Sequence, residues 1–128
     1  MDNYRTPLRR ARGLGSAKHG VGHWITERVT SIALVPLVLW AVFGIITLAA
    51  TDYYGAVAWI GQPVNAVLTV LLTAIAFLHM HAGMRVVVED YIHTTLNKTV
   101  LLLLNLFVCG LAGALAVFSI LKVALGGA

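Results

Sequence analysis

Charge and cysteine are both scarce in this chain, and each scarcity removes a class of protein. Only 11% of the 128 residues are charged, 59% are hydrophobic, and mean hydropathy is +0.88. Soluble domains carry about 25% charged residues, so the composition is that of a membrane chain. A single cysteine, Cys109, excludes an intramolecular disulfide and a CxxC redox pair. Internal repeats, heptads and low-complexity tracts are also missing, as are a nucleotide-binding fold pattern and a nucleophile triad. The chain therefore holds no self-contained catalytic centre. Its chemistry has to come from a cofactor or from other subunits.

What is present is long apolar sequence. Val29 to Thr51 and Thr99 to Leu121 are each 23 residues without a charge. At about 1.5 Å per residue, each run covers roughly 35 Å, enough to cross a hydrocarbon core of about 30 Å. Tyr53 to Met84 is uncharged as well. Its first part, YYGAVAWIGQP, is rich in Tyr, Trp, Gly and Pro and reads as an interfacial loop before a helix entered at Pro63. The expected fold class is all-α integral membrane, with three transmembrane helices at 27–50, 63–90 and 98–124 inside an anchor domain of 27–128. Residues 1–26 form a basic segment, which Gly13, Gly15, Gly20 and Gly22 mark as a flexible connector. Those glycines are too spread out for a phosphate loop, and no strand precedes them. The first apolar run is too long for the core of a cleaved leader.

Basic residues set the expected orientation. Six of the nine, Arg5, Arg9, Arg10, Arg12, Lys18 and Arg28, lie within the first 28 residues, and none lies between the first two spans. The positive-inside rule then puts the N-terminus and the EDYIHTTLNK loop in the cytoplasm and the C-terminus outside. Beside a membrane span, a basic tail reads as a site for anionic lipid or a peripheral partner, and no nucleic acid is expected.

The window FLHMHAGMRVVVEDYIH, residues 77–93, closes the second span with three histidines, an arginine and two carboxylic acids. A helix turns by about 100° per residue, which places Gly83, Val86 and Asp90 within roughly 40° of His79 and turns His81 nearly to the opposite side. The two histidines cannot serve one site. His79 lies about 16 Å deeper than Asp90 along the axis. A neutral imidazole at that depth suits iron, and axial ligation of haem is its commonest use. Gly83, one turn away, removes the side chain that would block a large flat ligand or another helix. The competing reading is a hydrogen bond from His79 to a neighbouring helix.

The other polar residues carry paired readings too. Met80 and Met84 read as packing residues, and His81 as a hydrogen bond to a neighbouring helix, with a propionate contact as its lesser use. Arg28 either snorkels to headgroups or neutralises a carboxylate such as a haem propionate. Arg85 shares that ambiguity, and Glu89 at i+4 can pair with it. Asp90 and Tyr91 form either a solvated helix end with an interfacial anchor or a quinone site, where the phenol donates to a carbonyl and the carboxylate relays protons.

HMHAGMRVVVEDY resembles the second-span signature of the small membrane anchor subunits of succinate dehydrogenase, the family of small cytochrome b subunits. That signature is a histidine, a glycine four residues on and Asp-Tyr eleven residues on, here His79, Gly83, Asp90 and Tyr91. GLGSAKHGVGHWITERVTSIAL resembles the family's entry into its first span and matches at Arg28. The resemblance implies half of a haem-binding bundle, completed by a sister cytochrome b anchor subunit, with an iron–sulfur subunit and a flavoprotein subunit docked from the cytoplasm. It implies His79 as an axial ligand of haem b, Arg28 at a propionate, Tyr91 hydrogen-bonded to ubiquinone and Asp90 supplying its protons. The setting implied is the bacterial inner membrane, in aerobic electron transport and the tricarboxylic acid cycle, with no activity from the chain in isolation.

Some features fit less closely. Gly22 stands where some relatives carry a histidine six residues before the arginine, with His23 beside it. His79, Gly83 and Arg85 also resemble the large anchor subunit, which continues with a basic pair and Trp-Asp instead of VVVEDY. A fumarate reductase anchor shares the architecture. A non-redox channel, transporter subunit or assembly factor would use Arg85, Glu89 and Asp90 as a polar path, but these charges cluster near one membrane face.

Overall fold

The structure, a computed structural model, describes residues 6–13 and 20–126. Arg5, Gly15 and Lys18 of the basic segment lie outside the described residues. Those residues form helices and no strand: α1 (Pro7–Ala11), α2 (Gly20–Leu48), α3 (Tyr53–Gly61), α4 (Pro63–Tyr91) and α5 (Thr95–Ala124). Val21–Leu48, Pro63–Tyr91 and Thr95–Ala124 are long and apolar enough to cross a membrane. The chain is thus a multi-pass helical membrane protein, as its composition predicts.

Local chemistry sets the boundaries. Pro63 opens α4 at a position where its missing N–H costs nothing. Ile92 closes that helix by donating its N–H to the Val88 carbonyl. Gly126, at φ 81°, turns the chain out of α5 in the left-handed conformation that glycine adopts freely.

Two segments differ from the sequence expectation. The first long helix begins at Gly20 rather than near residue 27, so Gly20 and Gly22 are helical and not part of a connector. A nucleated span elongates readily, and a glycine in its path costs only about 1 kcal/mol relative to alanine. The expected interfacial loop also contains a helix, α3. Asp52 starts it by accepting the Gly55 N–H at 2.8 Å. Trp59 then ties it to α2 by stacking on Trp40, with ring centroids 5.4 Å apart. Asn65 of α4 donates to the Trp59 carbonyl at 3.0 Å. Tyr53 and Tyr54 remain exposed on its outer side, as aromatic anchors would be.

α4 lies between α2 and α5 and packs against both. Few side chains are enclosed: Ala82 and Val88 on α4, Cys109 on α5 and Thr30 on α2 are the buried ones among the described residues. The remaining surface exposes Leu, Ile, Val and Phe, which suits lipid or a neighbouring helix. Phe77 of α4 lies against Gly113 of α5, where an added Cβ would stand 3.1 Å from the ring. Gly113→Leu should therefore destabilise the helix pair by about 1–3 kcal/mol through overpacking. At Gly110 an added Cβ meets nothing within 4 Å, so Gly110→Ala should be neutral or stabilise by up to about 1 kcal/mol. Thermal unfolding in detergent checks the contrast.

Candidate functional site

Helix periodicity separates His79 from His81, and each meets a different neighbour. His79 faces α2, where its Nδ1 lies 2.9 Å from the Thr30 hydroxyl. Thr30 is only 8% exposed, so water does not compete at that contact. Its hydroxyl also lies 2.8 Å from the Thr26 carbonyl and 3.1 Å from that of Glu27. No hydrogen bond from the described residues reaches His79 Nε2. At Gly83, one turn along the same face, a Cβ would meet nothing within 4 Å, so the glycine opens space at the helix surface.

His81 faces α5. Asn105 brings its Nδ2 within 3.1 Å of His81 Nδ1 and donates to the His81 carbonyl at 3.0 Å. Cys109 in turn donates its thiol to Asn105 Oδ1 at 3.2 Å. This chain of contacts fastens α4 to α5 and explains why the cysteine is buried. Beside it runs an apolar groove of about 580 Å³ between the two helices, with Phe77, Gly110 and Val117 among its walls.

The end of α4 carries the charged residues. Arg85 Nε donates to Glu89 Oε1 at 2.7 Å, with both side chains partly exposed. Lys98 crosses from α5 to donate to the Glu89 carbonyl at 3.0 Å. Those two bonds occupy Arg85 and cap α4 against α5. His23 on α2 has a buried Nε2 with no hydrogen-bond partner among the described residues. Asp90 is exposed, and Tyr91 is 76% exposed. Arg28 lies over the Trp24 ring at 5.6 Å, a cation–π contact. Among the described residues, no hydrogen bond or ion pair joins Arg28, His79, Asp90 and Tyr91 to one another. Within one chain they are separate groups, Arg28 on α2 and the other three on α4.

The donor set restricts what could bind. No group of three or more His, Cys, Asp or Glu side chains among the described residues could hold a metal ion. A bare ion is therefore a poor match for His79. A porphyrin iron fits, because the macrocycle supplies four nitrogens and asks the protein only for axial donors. One uncommitted imidazole nitrogen beside a glycine opening matches that demand on one side of the ring.

Sequence reasoning missed Thr30 and Asn105. Only Asn105 left a faint signal. Asn105 is a polar amide inside an otherwise apolar span, where such side chains commonly bond a neighbouring helix. Thr30 lies two residues beyond Arg28 and gave no comparable contrast with its surroundings.

These features define a class: a small multi-pass membrane protein whose central helix carries His79, His81, Arg85, Glu89 and Asp90 and leaves an imidazole nitrogen unused. The chain belongs to the succinate dehydrogenase/fumarate reductase transmembrane subunit family, whose model matches residues 2–120. It is 33% identical over 107 residues to the succinate dehydrogenase hydrophobic membrane anchor subunit of Rickettsia conorii, covering 82% of this chain and 85% of that one. To the protein of the same name from Paracoccus denitrificans it is 30% identical over 125 residues, covering 96% and 95%. No solved structure matches.

Proposed function

We propose that this chain is the small membrane anchor of a succinate:ubiquinone oxidoreductase. In this reading it sits in the bacterial inner membrane with its N-terminus in the cytoplasm. It pairs with a sister cytochrome b anchor, and the iron–sulfur and flavoprotein subunits dock on the cytoplasmic side. The observation that carries the reading is His79. Its Nδ1 is engaged by a buried hydroxyl at 2.9 Å, and the adjacent Gly83 leaves open space. Family membership and the names of the relatives support the rest.

His79 would hold the iron of haem b together with a donor from the sister subunit. Haem b, when bound, would supply a one-electron store. Arg28 would offer its guanidinium to a propionate, a charge-assisted bond that can replace its contact with Trp24. Tyr91 would donate its phenolic hydrogen to a quinone carbonyl, and Asp90 would pass protons to it from the aqueous side. Both side chains are exposed, which leaves them free to meet a substrate or a docked subunit. Arg85, committed to Glu89, would serve assembly at that surface.

Co-expression with the three partner subunits and purification in mild detergent tests the proposal. A red preparation with stoichiometric flavin, whose spectrum after dithionite is that of a b-type cytochrome, is expected. A colourless homo-oligomer would overturn it in favour of a channel or assembly protein.

A further inference from the structure

We infer that Thr30 is the positioning residue that fixes the tautomer and aim of His79. The inference rests on His79 being a haem ligand, and it follows from where one hydrogen atom must lie. A threonine hydroxyl has a single hydrogen and two lone pairs. The Thr30 oxygen is 2.8 Å from the Thr26 carbonyl and 3.1 Å from the Glu27 carbonyl, and a carbonyl only accepts. Two oxygens at that separation repel unless a hydrogen lies between them, so the hydroxyl hydrogen points down its own helix. The contact of 2.9 Å to His79 Nδ1 then has to be made by a hydrogen on the imidazole. His79 is the Nδ1–H tautomer, and the lone pair that can reach iron is on Nε2.

The same bonds fix the direction. Threonine in a helix divides between two χ1 rotamers because its hydroxyl can reach the preceding turn. Here both carbonyls in reach are engaged, so the free lone pair of Thr30 is aimed at α4 before any ligand arrives. Other threonines of the described residues make the i−4 bond alone: Thr26, Thr47, Thr69, Thr73 and Thr99 each return to their own helix. Thr30 combines that bond with burial and a contact to a second helix. Back-bonding by itself does not account for the combination.

The chemical consequence falls on the iron. An acceptor on Nδ1–H makes the imidazole a stronger donor and orients the ring. A more basic ligand favours the ferric state, so removing the acceptor should raise the haem midpoint potential.

The test uses the assembled four-subunit complex with three variants: Thr30→Val, which keeps shape and loses the oxygen, Thr30→Ser, which keeps the hydroxyl, and His79→Leu. The readouts are haem per flavin, the low-spin ferric electron paramagnetic resonance spectrum and the midpoint potential. In Thr30→Val the resonance positions should move, haem should be lost more readily, and the midpoint should rise; a tenfold preferential loss of ferric affinity corresponds to about 59 mV. Thr30→Ser should restore the parent values. Loss of haem in Thr30→Val with retention in Thr30→Ser supports the assignment equally. Parent spectra and potential in Thr30→Val, or equal loss in both threonine variants, overturn it. If His79→Leu keeps the parent haem spectrum, the ligand reading fails, and that outcome is distinct from failure of the threonine assignment alone.

Discussion

Replacing His79 by leucine should remove the b-type spectrum from the assembled complex while leaving flavin and iron–sulfur content in place. The expected loss of haem per flavin is at least tenfold, since even partners one shell out from a metal change its affinity by about 10–100-fold. The local structure predicts a clean result. Thr30 keeps its hydrogen bond to the Thr26 carbonyl when the imidazole is gone, so no buried donor is orphaned. Leucine tolerates the apolar setting of α4 and has no nitrogen to offer iron. His81→Leu is the matched control. It takes a partner from Asn105 and should weaken α4–α5 packing by about 1–3 kcal/mol, yet leave the haem spectrum unchanged. An unaltered spectrum in His79→Leu would remove the basis of the ligand reading.

Tyr91→Phe is expected to slow ubiquinone reduction about tenfold or more while succinate oxidation through an artificial acceptor continues at the parent rate. One hydrogen bond of about 1.4 kcal/mol formed in the transition state corresponds to a factor of ten. The phenol is 76% exposed and has no partner among the described residues, so deleting its oxygen should leave stability within about 0.5 kcal/mol of the parent. Separate assays of the two electron exits distinguish the cases. Equal loss in both would mean that the subunits fail to assemble, and no loss in either would take Tyr91 out of the quinone site.

The spans were legible because an uncharged apolar run of more than 20 residues suits little besides a bilayer crossing. The opposed directions of His79 and His81 were legible too, from two residues of helical twist, and the structure gives them α2 and α5 as respective neighbours. α3 was hidden because Tyr, Trp and Gly read as an interfacial loop, whereas Asp52 carried the helix-start signal. Thr30 was hidden for a different reason. Its role depends on the register between two helices 49 positions apart in the chain, and no periodicity within one helix reveals register. Arg28 lies on α2, and Asp90 and Tyr91 end α4, but their proposed ligands belong to neighbours or substrates, so one chain cannot bring them together.

Enclosing only four side chains among the described residues has a consequence for how such a protein survives in the cell. Three rods tied by a handful of contacts leave most of their apolar surface to companions, so the population of well-formed copies should follow the supply of matching subunits by mass action. Surplus copies should be cleared by proteases, and abundance should track the scarcest companion in the membrane.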